Sequence, residues 1–191
     1  ESWVDKVLEV KRISERIIVL RVRVGDSVLN LVSVYAPQVG RAMEEKEEFF
    51  ISLGDALSTV DAGERLVVCG DLNGHVGSVK EGFDGVHGGF GYGARNIEGE
   101  MLLEFADAMN LAVANTWFRK NDQKLVTFES GGSKTVVDYI LVRKSERNAL
   151  RNVTVMLGES CLLQHKLLVG ILQMGECRNE KKAVLMSRCK V

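Results

Sequence analysis

Four short stretches of this chain carry side chains suited to chemistry. The first is Gly70-Asp71-Leu72-Asn73-Gly74, directly after the apolar run 65–69. A carboxylate and a carboxamide two residues apart at a strand end point the same way while strand geometry persists. They offer hard oxygens to a divalent cation, or a site for a held water. The same residues also make an ordinary Asp-Asn turn. The second stretch, Val136–Val142, places Asp138 inside an apolar strand, where an unpaired carboxylate is costly. Either Tyr139 and nearby backbone donors satisfy it, or it holds a histidine and stabilises the imidazolium. The third supplies a candidate: His165 opens the last apolar run, Leu167–Leu172. Taken alone, His165 is an ordinary structural histidine. The fourth is Ser33-Val34-Tyr35-Ala36-Pro37, a strand whose terminal Tyr35 hydroxyl would reach the same sheet edge.

The surrounding pattern supplies elements to carry them. Residues 15–24 and 28–35 alternate apolar and polar about Gly25-Asp26, which predicts an antiparallel hairpin ended by Pro37. Phe49, Phe50, Leu53, Ala56, Leu57 and Val60 recur at helical spacing, predicting a helix over 42–60 behind an acidic first turn. Residues 65–69 suit a central buried strand. Residues 74–96 hold eight glycines and no period, a long functional or mobile loop. A second helix over 97–110 ends at Asn110. Strands are predicted at 111–114, 125–128, 136–142, 153–157 and 167–172. A basic connector fills 143–151. The expected architecture is α/β (α+β) with mainly antiparallel sheets. Residues 1–174 read as one domain and 175–191 as a basic tail or linker.

Composition limits the options. The chain has 191 residues, 46% hydrophobic and 27% charged, enough for a real core. No apolar run approaches the ~18 residues of a membrane helix. Cysteines at 69, 161, 177 and 189 lack Cys-x-x-Cys spacing, and the three histidines add no zinc pattern, so a reducing compartment is expected. Net charge is −1, which announces no global nucleic-acid field. Charge is uneven, however. Residues 119–151 hold eight Lys or Arg against four acids, and 41–64 hold seven acids against two bases. One basic edge facing phosphate is one reading; a mixed solvated surface is the other. Trp117 beside Arg119 can stack on bases or sit in the core. Arg95-Asn96 can touch a phosphate, or Asn96 can cap the following helix. His75 and His87 read as loop residues near substrate.

The order of these motifs resembles the endonuclease/exonuclease/phosphatase superfamily: Tyr-Ala-Pro, Gly-Asp-Leu-Asn, Thr127…Ser130…Val137-Asp138-Tyr139, then a His before the final strand. Gly-Asp-Leu-Asn-Gly-His-Val-Gly, the loop from His87 to Asn96, Leu103-Glu-Phe-Ala and Asn115-Thr-Trp-Phe resemble the craniofacial development protein 2 group and RTE-type retrotransposon endonucleases. The resemblance implies a four-layer α/β/β/α sandwich, here without its first strands, and Mg²⁺- (or Mn²⁺-) dependent hydrolysis of DNA phosphodiesters. It implies that Asp71 orients or deprotonates water, Asn73 helps hold water and phosphate, and Tyr35 contacts phosphate. His165 would stabilise developing phosphate charge, oriented by Asp138. Metal would fall to Asp71, Asn73 and Gln164, and substrate contacts to Gln38, Arg95, Asn96 and Trp117. Residence would be intracellular, with the nucleus following from the substrate alone.

Three departures qualify that expectation. The superfamily's early Asn and metal-binding Glu precede the matched region, so impaired activity is expected. Gln164 stands where an Asp is usual, and Gln38 where nucleases tend to have Asn. An inactive relic or interaction module, or a small-molecule phosphatase or phosphodiesterase, are the competing functions.

Overall fold

In the computed structural model of the chain the described residues are 2–160, 164–174 and 182–187. β1 (Val7–Arg12), β2 (Ile17–Val24) and β3 (Ser27–Tyr35) form an antiparallel meander. Gly25, at φ 61°, makes the turn from β2 into β3. α1 (Met43–Ser58) carries the chain back, so that β4 (Arg65–Asp71) pairs parallel with β3. The glycine-rich loop leads to α2 (Ile97–Ala108) and β5 (Leu111–Val113). A small hairpin of β6 (Phe128–Ser130) and β7 (Ser133–Thr135) precedes β8 (Asp138–Arg143), which inserts between β4 and β5. The larger sheet therefore runs β1-β2-β3-β4-β8-β5. β9 (Leu150–Ser160), β10 (Lys166–Gln173) and β11 (Lys182–Ser187) make a second sheet, in the order β11-β10-β9.

Strand alternation sorts side chains between two cores. Leu66 and Val68 of β4, and Tyr139 and Leu141 of β8, join Phe49, Leu53, Leu102 and Leu103 from the helices. Val67, Ile140 and Val142, one residue out of phase, join Val153, Val155, Leu168 and Leu172 of the second sheet. Each such side chain stabilises the fold by about 1.5–3 kcal/mol. The sheets approach closely: a Cβ on Gly170 would lie 2.8 Å from Ile140 Cδ1. Among the described residues the layers are helices, six-stranded sheet, three-stranded sheet; α1 and α2 both pack on the larger sheet, and no second helical layer is present.

Both predicted helices form, at 43–58 and 97–108, and Asn110 follows α2 in the left-handed region (φ 54°). β1 was not anticipated. It is an edge strand exposed on both faces except at its start, so it carries no clean alternation. The strand expected at 125–128 lies later, at 128–130, because a 3₁₀ turn at 122–124 precedes Leu125. Residues 182–187, read from sequence as tail, pair with β10 throughout. Cys69 is a free thiol. Cys161, Cys177 and Cys189 lie outside the described residues.

Candidate active site

Three strand ends align the first part of the site. Tyr35 closes β3, Asp71 closes β4 and Asp138 opens β8; Tyr35 is the register partner of Asp71, and Asp71 that of Asp138. Directly opposed side chains on neighbouring strands sit about 4.5–5.5 Å apart at Cβ. Parity puts all three on the face turned toward the second sheet, with Leu29, Val67 and Ile140. Gly70 makes this possible. Its φ is 151°, and a Cβ there would stand 1.9 Å from the Val34 carbonyl oxygen.

The loop after Asp71 is fastened in place. The Asn73 backbone N–H donates to Asp71 Oδ1 (2.9 Å), and Asn73 Nδ2 donates to the Ala36 carbonyl (2.8 Å). Asn73 takes φ 47°, which Asn tolerates better than most residues. The hydroxyl of Tyr139, fully buried, lies 2.8 Å from the carbonyls of both Gly74 and Val136 and has its one hydrogen to give to either. Loop and β8 are thereby tied together just behind Asp71.

The second sheet contributes His165, beside the first residue of β10. Its Nδ1 lies 3.1 Å from Asp138 Oδ2. An ionised carboxylate only accepts, so Nδ1 carries the proton and Nε2 is the remaining nitrogen. Phe128 packs edge-on to the imidazole, with centroids 4.8 Å apart. Thr127 Oγ1 accepts the backbone N–H groups of Val137 and Asp138, both at 3.1 Å, and its carbonyl accepts from Lys166 (2.8 Å). Asn115 donates to the Asp138 carbonyl (3.0 Å) and accepts from Ile140 (3.0 Å), satisfying β8 beyond the short β5. Sequence reasoning assigned no role to this use of Thr127 or Asn115. Both residues stand in motifs that carry the family resemblance, and that placement was the signal.

Charge follows from burial. Asp71 is 4% exposed and Asp138 3%. Burial pushes the Asp71 carboxyl up to about 6, and the Asp138 charge adds to the rise. His165 is raised above the usual imidazole range, first by its hydrogen bond to Asp138 and then by the charges of Asp138 and Asp71. At neutral pH the cluster holds two opposed carboxylates and one imidazole inclined to be cationic.

This cluster opens onto a cavity of about 1200 Å³. Tyr35, Gln38, Asp71, Asn73, Gln164 and His165 all line it, with Asp138 behind the imidazole. Tyr35, 43% exposed, has its hydroxyl 3.4 Å from Gln38 Nε2. Gln164 is exposed and donates to Ser130 Oγ (2.9 Å). His75, Arg12 and Arg16 line the cavity too. Arg12 ends β1, which the sequence pattern did not predict, and Arg16 sits in the turn just before β2, at the start of the run read as strand.

Three proposed substrate contacts are not brought to this cavity. Asn96 caps α2: its Oδ1 accepts from Gly99 and His75, each at 2.8 Å. Arg95 lies over the Phe83 ring, bonds Glu100 (3.1 Å) and reaches the carbonyls of Val76 (3.2 Å) and Val79 (2.7 Å), stapling the glycine-rich loop. Trp117 donates to the Val86 carbonyl (3.3 Å) and faces Arg147 at 4.3 Å. His87 is 0% exposed, wedged between Gly77 O (3.1 Å) and Gly89 N (3.0 Å), so it is a core histidine and not a substrate neighbour. None of the eight basic residues of 119–151 lines the cavity. Lys144 pairs with Asp107, Lys134 with Glu129, and Arg151 with Gln173.

The implied divalent cation can be tested against these donors. Mg²⁺ takes oxygen ligands, commonly one or two carboxylates, and leaves the rest of its shell to water and phosphate. Asp71 supplies a carboxylate already crowded by a second one, an excess of negative charge that a cation would offset. The Asn73 carboxamide stands beside it, at the same cavity wall. This donor chemistry fits a hard cation held with few protein ligands. No group of three His, Cys, Asp or Glu suited to a metal is present among the described residues, so a closed protein cage is not what the site offers.

Over 159 residues the chain is 30% identical to craniofacial development protein 2 of Bos taurus and of Tragulus javanicus. The match covers 82% of this chain but 26% and 27% of those proteins, so the chain spans about a quarter of their length. Among solved structures, the 3′ phosphatase NExo from Neisseria, bound to a product DNA hairpin, superposes with a TM-score of 0.64 at 16% identity, over 88% of this chain and 72% of that one. The endonuclease domain of TRAS1, a telomere-specific non-LTR retrotransposon, gives 0.61 at 17% identity, over 86% and 65%. No protein-family profile matches the chain.

Proposed function

Since the chain is a homologue of one segment of craniofacial development protein 2 built on the endonuclease/exonuclease/phosphatase fold, we propose that it hydrolyses phosphodiester bonds in DNA as an endonuclease using Mg²⁺ or Mn²⁺. One observation carries the reading. A carboxylate-held imidazole and a second, crowded carboxylate meet at the wall of one open cavity, although they come from distant parts of the chain.

The roles follow from charge and position. Above pH 6 Asp71 is ionised and accepts a proton from the attacking water as oxygen bonds to phosphorus. The leaving ester oxygen departs with the bonding electron pair and takes up a proton from solvent. His165, whose cationic form the bond to Asp138 favours, stabilises the negative charge that grows on the phosphate oxygens. Tyr35 and Asn73 contact the phosphate, and Gln38 sits beside the Tyr35 hydroxyl. Asp71 and Asn73 would hold the cation, with Gln164 at the rim. A bound cation supplies Lewis-acid polarisation of the phosphoryl group. Arg12 at the cavity wall offers a cation to a DNA backbone, while Arg16 beside it is already paired with Glu45 (2.9 Å).

Nicking of supercoiled plasmid with Mg²⁺, lost on chelation and in Asp71→Ala and His165→Ala, is the expected result. Nicking that survives in the double variant would refute the assignment. Cleavage of small phosphodiesters with no action on DNA would favour a phosphodiesterase.

A further inference from the structure

Lys46 is 5% exposed, an unusual place for an ammonium. Its Nζ donates to Glu98 Oε1 (2.7 Å) and to the Val39 carbonyl (2.8 Å). These bonds join two walls of the cavity. Val39 belongs to the segment between β3 and α1, where Gln38, Val39 and Gly40 line the cavity. Glu98 lies in the first turn of α2, whose cap Asn96 grips the His75 backbone in both directions. Packing there is tight, since a Cβ on Gly99 would fall 1.8 Å from the His75 carbonyl oxygen. His75 and Asn73, on the loop after β4, line the cavity as well. α1 starts at Met43 behind Ala42, which makes no side-chain cap, and the 38–42 segment is closed on itself by the Arg41 N–H to Gln38 carbonyl bond (2.9 Å).

Stability alone does not call for such a pair. Replacing a buried ion pair by apolar side chains of similar volume is often neutral or favourable, whereas removing one partner strands a charge. Burial would raise the Glu98 carboxyl, yet the bond from Lys46 holds it below the usual range.

We propose that Lys46 and Glu98 are positioning residues that clamp the 38–42 segment to the 73–76 loop and so set the width of the substrate cavity. The inference rests on the nuclease reading for its kinetic consequence and on the geometry alone for its mechanical one. A long polyanion uses both walls. A small diester reaches only the Asp71–His165 end.

The test is the double variant Lys46→Met/Glu98→Leu, which leaves no stranded charge. With Mg²⁺, KM for supercoiled plasmid should rise about tenfold while kcat stays within about twofold. Hydrolysis of bis(p-nitrophenyl) phosphate should be unchanged. Amide exchange across 38–42 should quicken by about tenfold, with β4 unaffected. Equal loss on both substrates, or no change on either, would overturn the clamp. If the unmutated chain hydrolyses neither substrate, the nuclease reading fails and exchange alone decides: unchanged protection of 38–42 overturns the clamp, and faster exchange supports it.

Discussion

Asp71→Asn should make the cation-free protein more stable while removing its activity. Moving a carboxyl from 3.8 in the unfolded chain to about 6 in the fold corresponds to about 3 kcal/mol against the ionised form. The folded value lies above the unfolded one, so the native state binds this proton more tightly. Its contribution is complete below pH 3.8, declines as pH rises to about 6, and is gone above that. At pH 8 the native protein therefore carries the whole penalty. The amide carries no charge, still accepts the Asn73 N–H, and presents an N–H₂ rather than a like charge to Asp138. Part of the burial cost persists, so the gain should be about 1–3 kcal/mol at pH 8, falling toward zero by about pH 4. At about 2–4 °C per kcal/mol for a chain of this size, Tm rises by several degrees. Urea unfolding followed by circular dichroism, in chelator between pH 4 and 8, measures it. A variant no more stable than its parent at pH 8, or a difference independent of pH, would refute the account of Asp71. Added Mg²⁺ should stabilise the parent and narrow the gap, because only the parent keeps the carboxylate.

Asp138→Asn should lower the His165 pKa, since the carboxylate is its largest support; the imidazole NMR titration reads this, and an unmoved midpoint would contradict the dyad. Linkage gives the sign: the raised His165 pKa contributes stability present below about 6.5 and lost as pH climbs through the folded value, a loss Asp138→Asn should abolish. Gly70→Ala should prevent folding or displace Asp71, because its Cβ has no room beside Val34; soluble protein with wild-type activity would contradict it. Asn96→Ala should cost about 0.5–2 kcal/mol through the lost cap. Urea unfolding followed by circular dichroism reads this loss, and a variant as stable as its parent would contradict the cap.

Sequence and structure agree where one face of an element is buried and the other is not. The hairpin around Gly25 and the helices at 43–58 and 97–108 are legible because burial imposes a period. The Asp138–His165 contact was legible for a different reason: a carboxylate in an apolar strand needs a partner, and the motif order pointed to one. β1 escaped because an edge strand wet on both faces has nothing to alternate. Arg12 was missed with it. Asn96, Arg95 and His87 were ambiguous for a third reason. Polar side chains that satisfy a loop's own backbone have the same composition as those that grip a ligand, and only coordinates separate the two.

The row Tyr35, Asp71, Asp138 crosses three adjacent strands, and His165 closes it from another sheet. No fragment of the chain holds a working subset, and no local hairpin can preassemble one. Catalytic competence is therefore a late event on the folding route, reached after long-range closures that are slow in topologies of this kind. Recovery of activity after dilution from urea would thus report completion of the whole architecture, lagging the return of helical signal.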